Sequence, residues 1–179
     1  MQIHKTEFEG LLVIEPEVYT DKRGYFMESY NHKLWHKALH TEFVQDNESR
    51  SVKGVLRGLH FQKPPYAQDK LVRVIRGSVL DVVVDLRKNT PTYGKHFMIE
   101  LSENNKKQLF IPKGFAHGFL CLEDITIFSY KCSQYYHAAS EGSLLWNDPD
   151  LGIDWRIEAP IVSEKDKNAP LFKDFDSPF

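Results

Sequence analysis

A series of short β-rich runs, separated by turn residues, constrains this chain more than any other feature of its sequence. Gly, Pro or Asn clusters punctuate most of these runs. We predict strands at Leu11–Ile14, Tyr25–Tyr30, Leu71–Ile75, Val79–Leu86, His96–Leu101, Gln108–Ile111, Phe115–Leu120 and Thr126–Tyr130. The one helical candidate is His32–Leu39, whose apolar residues share a face. Regular short strands with few helices predict an all-β antiparallel sandwich or small barrel.

Length and charge narrow the class of protein. The 179 residues fit a single domain, 1–179, and a net charge of −2 gives no general attraction to nucleic acid. The apolar run Leu11–Ile14 is too short for a signal peptide or a membrane span. Cys121 and Cys132 form no disulfide framework, so we expect a reduced, cytoplasmic setting. From the charge and the short apolar run we expect neither nucleic acid nor membrane as a partner.

The segment richest in chemistry is GVLRGLHFQKPPYAQDKLVR, at 54–73. It brings Arg57, His60 and Lys70 into a β-rich region. In a regular strand Arg57 and His60 would lie on opposite faces unless Gly58 bends the chain, and an interior glycine often marks such a bend. Taken alone, a histidine in an apolar strand is more often a packing residue than a base.

A second segment, IPKGFAHGFL at 111–120, has the spacing P-x-G-x-x-H, which ends on His117. Its glycines permit a tight turn and the close approach of a ligand. By itself the pattern also fits an ordinary turn into a strand, with His117 filling space.

Together the two segments resemble the paired signatures of the cupin superfamily, which implies a jelly-roll β-barrel. The first cupin signature usually carries H-x-H followed by Glu, and its side chains bind a divalent metal together with a later His. Here Gln62 stands where the second His is expected, and residues 63–67 contain no carboxylate. This donor set is poor for zinc, iron or manganese, so we expect no metal, and a metal-dependent oxygenase is disfavoured.

Two further segments supply other candidates. FSYKCSQYYHAASEG, at 128–142, offers Tyr130, Tyr135 and Tyr136 as proton donors and Glu141 as a hydrogen-bond acceptor, and its composition does not choose among the tyrosines. The stretch from about residue 161 is polar, and we expect it to wrap the surface. It contains SEKD at 163–166, where a solvated charged loop is the ordinary interpretation.

Eight strings in collinear order resemble one family within the cupins, the dTDP-4-dehydrorhamnose 3,5-epimerases. They run from residue 21 to residue 166 and cover nearly the whole chain. The strings are DKRGYFME, QDNESRS, GVLRGLHFQ, KLVR, DVVVDLR, IPKGFAHGF, WNDPDLGIDW and SEKD.

The resemblance implies a cupin-type jelly-roll barrel with a few short peripheral helices, a homodimer, and no metal or organic cofactor. It implies a dTDP-4-keto-6-deoxyhexose substrate, epimerised at C3 and C5. By motif position His60 resembles the family's base, Tyr130 its acid and Asp166 the residue that orients His60. The positions matching substrate contacts are Arg23, Phe26, Glu28, Gln45, Asn47, Arg57, Lys70, His117, Glu141 and Lys165. In this family the N-terminal segment enters the partner's site, so Arg23, Phe26 and Glu28 are expected to serve the other subunit.

These residue types suit proton transfer beside a ketone. A base must remove a weakly acidic C–H proton while a cation, here Lys70, holds the developing enolate. Inversion needs a second group, Tyr130, to return a proton from the other face. Two rival functions stay open: a single-centre epimerase acting at C3 or C5 only, and a non-catalytic sugar-binding cupin.

Overall fold

The computed structural model describes all residues from 1 to 179. Its strands are β1 Gln2–Lys5, β2 Leu12–Glu15, β3 Val18–Asp21, β4 Gly24–Met27, β5 Gln45–Ser51, β6 Val55–Gln62, β7 Lys70–Arg76, β8 Ser78–Asp85, β9 His96–Ser102, β10 Gln108–Ile111, β11 Phe115–Cys121, β12 Thr126–Cys132, β13 Glu141–Ser143 and β14 Ile161–Val162. The helices are α1 His32–Leu39 and α2 Glu164–Lys167, with 3-10 turns at Ala138–Ser140 and Phe172–Asp174.

Two six-stranded sheets form the body of the protein. The first has the order β1-β2-β10-β7-β12-β5; the second has the order β13-β6-β11-β8-β9, with β14 added beside β6. All pairings are antiparallel except that of β14 with β6. The predicted all-β, cupin-type jelly-roll barrel with short peripheral helices is confirmed. Neither helix has the length and apolar character that crossing a membrane requires.

Three apolar clusters explain why the sheets stack. The largest lies between the two sheets and joins Val72 and Leu109 of the first to Val83 and Phe119 of the second. A second cluster covers the outer face of the second sheet with the C-terminal part of the chain. The third fixes α1 against the outer face of the first sheet. Strand β8 is therefore buried along its whole length, which explains its nearly unbroken apolar sequence.

The predicted first and last residues of α1 and β10 match those of the structure. The predicted bounds of most other strands lie within a few residues of the observed ones. The strand predicted at Tyr25–Tyr30 is too long, because β4 ends at Met27. The edge strand β5 escapes prediction, since QDNESRS has no apolar alternation and pairs only with β12. The ordinary interpretation of 163–166 as a solvated charged loop is wrong, because residues 164–166 belong to α2 and Asp166 turns inward, where it is 3% exposed.

Gly58 bends β6 as the sequence predicts. Its φ is +130°, and a Cβ atom there would lie 2.5 Å from the Cα atom of Gly118. The pairing of β6 with β11 shifts register between His117 and Phe119 at this point. Because of the bend, Arg57 and His60 face the same cavity instead of opposite sides of the sheet.

Candidate active site

A cavity of about 450 Å³ opens between the two sheets. A neighbouring cavity of about 400 Å³ shares His60, Lys70 and Tyr130 with it. The other predicted site residues in the first cavity are Arg57, His117, Lys165 and Asp166, and those in the second are Gln45, Asn47 and Glu141. Ten of the thirteen residues singled out from the sequence therefore meet at one place.

His60 and Asp166 form the closest polar contact in the cavity. The Nε2 atom of His60 lies 2.5 Å from Oδ1 of Asp166, and the other carboxylate oxygen accepts the backbone N–H of Gly58 at 3.4 Å. Ser163 caps α2 by accepting the backbone N–H of Asp166, which holds that residue in place. The His60 side chain remains 32% exposed, so it can reach a ligand while Asp166 fixes its ring.

The pKa of Asp166 lies below its usual range. Burial raises this pKa, but the hydrogen bond and charge of His60, with the Gly58 and Ser163 hydrogen bonds, outweigh burial. Asp166 therefore stays ionised and presents a carboxylate to the His60 ring.

Lys70 supplies a poorly solvated cation in both cavities. Burial lowers the pKa of Lys70, and Coulombic interactions with Cys132, Asp81 and Glu141 oppose the shift only in part. The structure gives the Lys70 ammonium no salt-bridge partner within 4.0 Å among the carboxylates. An anionic oxygen arriving in the cavity would therefore be a favourable partner for this ammonium.

The structure separates the three candidate tyrosines. Tyr130 lines both cavities, Tyr136 lines only the second, and Tyr135 lines neither and is 66% exposed. The Tyr136 hydroxyl donates to Glu141 at 3.3 Å. The pKa of Tyr130 is raised, first by burial and then by the Cys132 thiol, so its hydroxyl keeps its proton at neutral pH.

A buried pair of His117 and Asp81 lies deeper in the barrel. The Nε2 atom of His117 lies 3.0 Å from the Asp81 carboxylate, which is fully buried. Burial raises the pKa of Asp81, and the contact with His117 and the charge of Lys70 offset that effect in part. The pair fixes the imidazole of His117 where it meets the cavity.

Polar side chains at the cavity mouth are also held in place. The Nζ atom of Lys165 contacts the Glu141 carboxylate at 2.6 Å. Gln45 donates to the Asn47 side chain at 3.1 Å, and the Nε atom of Arg57 donates to Ser51 at 3.2 Å. These contacts preorganise a rim that contains both cations and amides.

Comparison with known proteins assigns the chain to a family. The sequence model described as dTDP-4-dehydrorhamnose 3,5-epimerase matches residues 5–174. The chain belongs to this epimerase family. It is 55% identical over 168 residues to the dTDP-4-dehydrorhamnose 3,5-epimerase of Methanothermobacter thermautotrophicus, covering 92% of this chain and 90% of the relative.

Solved structures of the family share the fold. The 3,5-epimerase of Legionella pneumophila in complex with dTDP-4-keto-L-rhamnose is 47% identical, with a TM-score of 0.93 over 98% of this chain and 94% of that one. A 3'-monoepimerase of Streptomyces bikiniensis in complex with dTDP-quinovose is 34% identical, with a TM-score of 0.89 over 94% of this chain and 86% of that one. The fold is therefore common to epimerases of both kinds.

The metal site of other cupins does not fit this member of the epimerase family. The Gln62 side chain is engaged by backbone groups, because it donates to the carbonyls of Tyr66 and Tyr135 and accepts the N–H of His137 at 2.7 Å. Its amide thus holds two loops together and leaves no free ligand atom. With His60 turned to Asp166, the donor set lacks the three good ligands that zinc or iron needs.

Three predicted site residues of this epimerase lie outside the two cavities that contain His60. Arg23 and Phe26 belong to the β3–β4 hairpin, which forms its own two-stranded sheet, and their side chains are largely exposed. Arg23 is bound to Asp21, and Glu28 accepts a hydrogen bond from Asn31 at 3.1 Å. None of the three lines the cavities that contain His60.

Sequence reasoning misses two residues that the fold brings to the site. Asp81 is the one carboxylate inside the apolar run Val79–Val84, and that anomaly is a signal that could have revealed it. Cys132 lines the second cavity beside Lys70, its partner in the β7–β12 register. Nothing in the sequence marks Cys132, because a lone cysteine gives no spacing pattern.

Proposed function

We propose that this protein epimerises dTDP-4-dehydro-6-deoxy-D-glucose at C3 and C5 to give dTDP-4-dehydro-L-rhamnose, without a cofactor. The observation that carries the proposal is the placement of two proton-transfer groups on opposite walls of one cavity. His60 comes from the second sheet and Tyr130 from the first, and both line the same space. A substrate between them would meet a base on one face and an acid on the other.

In the proposed first step, His60 removes the proton at C3 or C5. Asp166 holds the imidazole by a 2.5 Å contact and stabilises the imidazolium that forms, as carboxylates do in other His–carboxylate pairs. Negative charge moves onto the oxygen of the C4 ketone. The desolvated ammonium of Lys70 is the group we assign to that enolate oxygen.

In the second step, Tyr130 returns a proton from the opposite face. A base that returned its own proton would restore the starting sugar, so inversion requires a separate acid. The raised pKa of Tyr130 supports this role, because the hydroxyl is protonated when the enolate forms. One ketone lies beside both C3 and C5, so the same base and acid serve each centre in turn, once solvent has taken the proton from His60 and returned one to Tyr130.

We assign the remaining cavity residues to substrate binding. Arg57 and Lys165 line the main cavity and suit a diphosphate, since arginine can make bidentate contacts with it. The side chains that we assign to polar contacts with the sugar or the base are Gln45, Asn47, His117 and Glu141.

We also propose a homodimer in which Arg23, Phe26 and Glu28 enter the partner's site. The hairpin supports this arrangement, because Phe26 is 70% exposed and Arg23 lines neither cavity that contains His60. The cluster shared by both sheets, and the packing of the C-terminal part of the chain on the second sheet, support the proposal that residues 1–179 act as one domain. Two free, buried cysteines support a reduced, cytoplasmic setting.

The deciding experiment incubates the purified protein with dTDP-4-keto-6-deoxyglucose in D2O and follows C3 and C5 by NMR. We expect deuterium at both carbons and an inverted product. Exchange and inversion at one carbon alone would identify a single-centre epimerase. A protein that binds the nucleotide sugar without exchange would be a sugar-binding cupin, and the proposed activity would be wrong.

A further inference from the structure

Two histidines and a carboxylate meet on the surface at α1, outside the cavities described above. His32 and His36 are one helical turn apart, and their rings stack with centroids 5.4 Å apart and an angle of 17° between planes. Glu42 follows the helix, and its Oε1 atom lies 3.7 Å from Nε2 of His32. One ligand atom from each of the three residues lies within 4.8 Å of the other two.

These distances are close to those of a metal site. Tetrahedral zinc bonds its nitrogen and oxygen ligands at about 2.0–2.2 Å, so neighbouring ligand atoms are roughly 3.3–3.6 Å apart. Three exposed side chains need only small rotations to reach that spacing. Two imidazoles, one carboxylate and a water molecule make up a donor set that zinc uses in proteins. Magnesium instead prefers oxygen ligands in octahedral geometry.

The backbone that carries these ligands is fixed. Trp35 and Leu39 bury the opposite side of α1 against the first sheet, and Asn31 caps the helix by accepting the N–H of Leu34. His40 ends the helix in a left-handed conformation, with its N–H bonded to the carbonyl of His36 at 2.8 Å. Thr41 then donates to the Leu39 carbonyl at 3.2 Å, immediately before Glu42. Binding a metal would therefore order side chains only, at a small cost in entropy.

We propose that His32, His36 and Glu42 form a surface site for a zinc-type divalent transition metal. Without a metal, an exposed His–Glu contact contributes little to stability. With a metal, the site would tie α1 to the chain that leads into β5, the strand that carries Gln45 and Asn47. The site is structural in character, because its three residues line neither cavity that contains His60.

The test is isothermal titration of chelator-treated protein with Zn²⁺ and, separately, with Mg²⁺, together with thermal unfolding in both ions. We expect one zinc per chain, a higher Tm with zinc, and no comparable effect of magnesium. His36→Gln and Glu42→Gln should each weaken zinc binding at least about tenfold, since even the loss of an outer partner of a metal ligand costs that much.

The matched control is His4→Gln. His4 is also exposed and lies 3.5 Å from Glu15, but that pair offers a single imidazole. The His4→Gln variant should bind zinc as the unsubstituted protein does. All variants should keep their circular dichroism spectra and epimerase turnover. Zinc binding that survives both His36→Gln and Glu42→Gln, or that is lost in His4→Gln, would overturn the proposal. So would equal affinity for magnesium, or no binding at all.

Discussion

Replacing Tyr130 with phenylalanine separates the two proton transfers that we propose. The ring contributes to the main core cluster and lies 6.2 Å from the ring of Phe128, and the substitution keeps that packing. It deletes only the hydroxyl, which the raised pKa keeps protonated. A volume-conserving change of this kind usually costs less than about 1.5 kcal/mol, so the fold should survive.

The magnitude follows from the role of the hydroxyl. A general acid contributes about 100- to 10,000-fold to a rate, which corresponds to roughly 2.7–5.4 kcal/mol in the barrier. We expect Tyr130→Phe to lose inversion by a factor in that range. The His60–Asp166 contact does not involve Tyr130, so proton removal should continue. Deuterium should still enter at least one carbon beside the ketone.

The assay compares deuterium incorporation with inverted product in the same NMR time course. Tyr136→Phe is the matched control, because it removes a hydroxyl bound to Glu141 from a ring that is 59% exposed. It should leave the ratio of inversion to exchange near that of the unsubstituted enzyme. Normal inversion in a folded Tyr130→Phe enzyme would refute the assignment and move the acid role to another donor.

Other substitutions test the remaining parts of the mechanism. His60→Ala should abolish both inversion and deuterium exchange, and exchange at the normal rate would exclude His60 as the base. Asp166→Asn should reduce both activities in part. The stability that this variant lacks should shrink on acidification. Because the pKa of Asp166 is lowered in the folded state, the ionised carboxylate stabilises the fold above the usual carboxyl pKa of 3.8, and that contribution is lost as pH falls through the folded pKa. A stability deficit that does not change from pH 7 to pH 3 would contradict this. Arg23→Ala should raise KM more than it lowers kcat. If the hairpin serves the partner, dimers that combine one Arg23→Ala subunit with one His60→Ala subunit should regain activity through one intact site. No recovery despite subunit exchange would count against that arrangement. EDTA should leave turnover unchanged, and loss of activity that one divalent ion restores would overturn the cofactor-free reaction.

Local sequence pattern determined much of this fold. The spacing of apolar residues and turn signals located α1 and most strands, because each element buries a face that its own sequence defines. Strand β5 lay beyond reach, since its seven residues are polar and form a strand only by pairing with β12. Strand β14, with two residues, is likewise created by its pairing with β6.

The sequence by itself also determined which chemical groups are present, through motifs that are local in the chain. It identified His60, Tyr130 and Asp166 by resemblance, and it indicated that Gly58 bends β6. Only the tertiary structure decided how these groups meet. Asp166 lies 106 positions from His60, yet α2 brings the two within 2.5 Å.

Tertiary structure also decided the ionisation of the site. Burial raises the pKa of Tyr130, whereas Tyr135 and Tyr136 are exposed to solvent. Lys70 acquires its lowered pKa through desolvation inside the barrel. Asp81 becomes the partner of His117 because β8 pairs with β11. Local sequence sets which groups can carry charge, whereas the dielectric and the partners around each group arise only when distant strands close around the cavity.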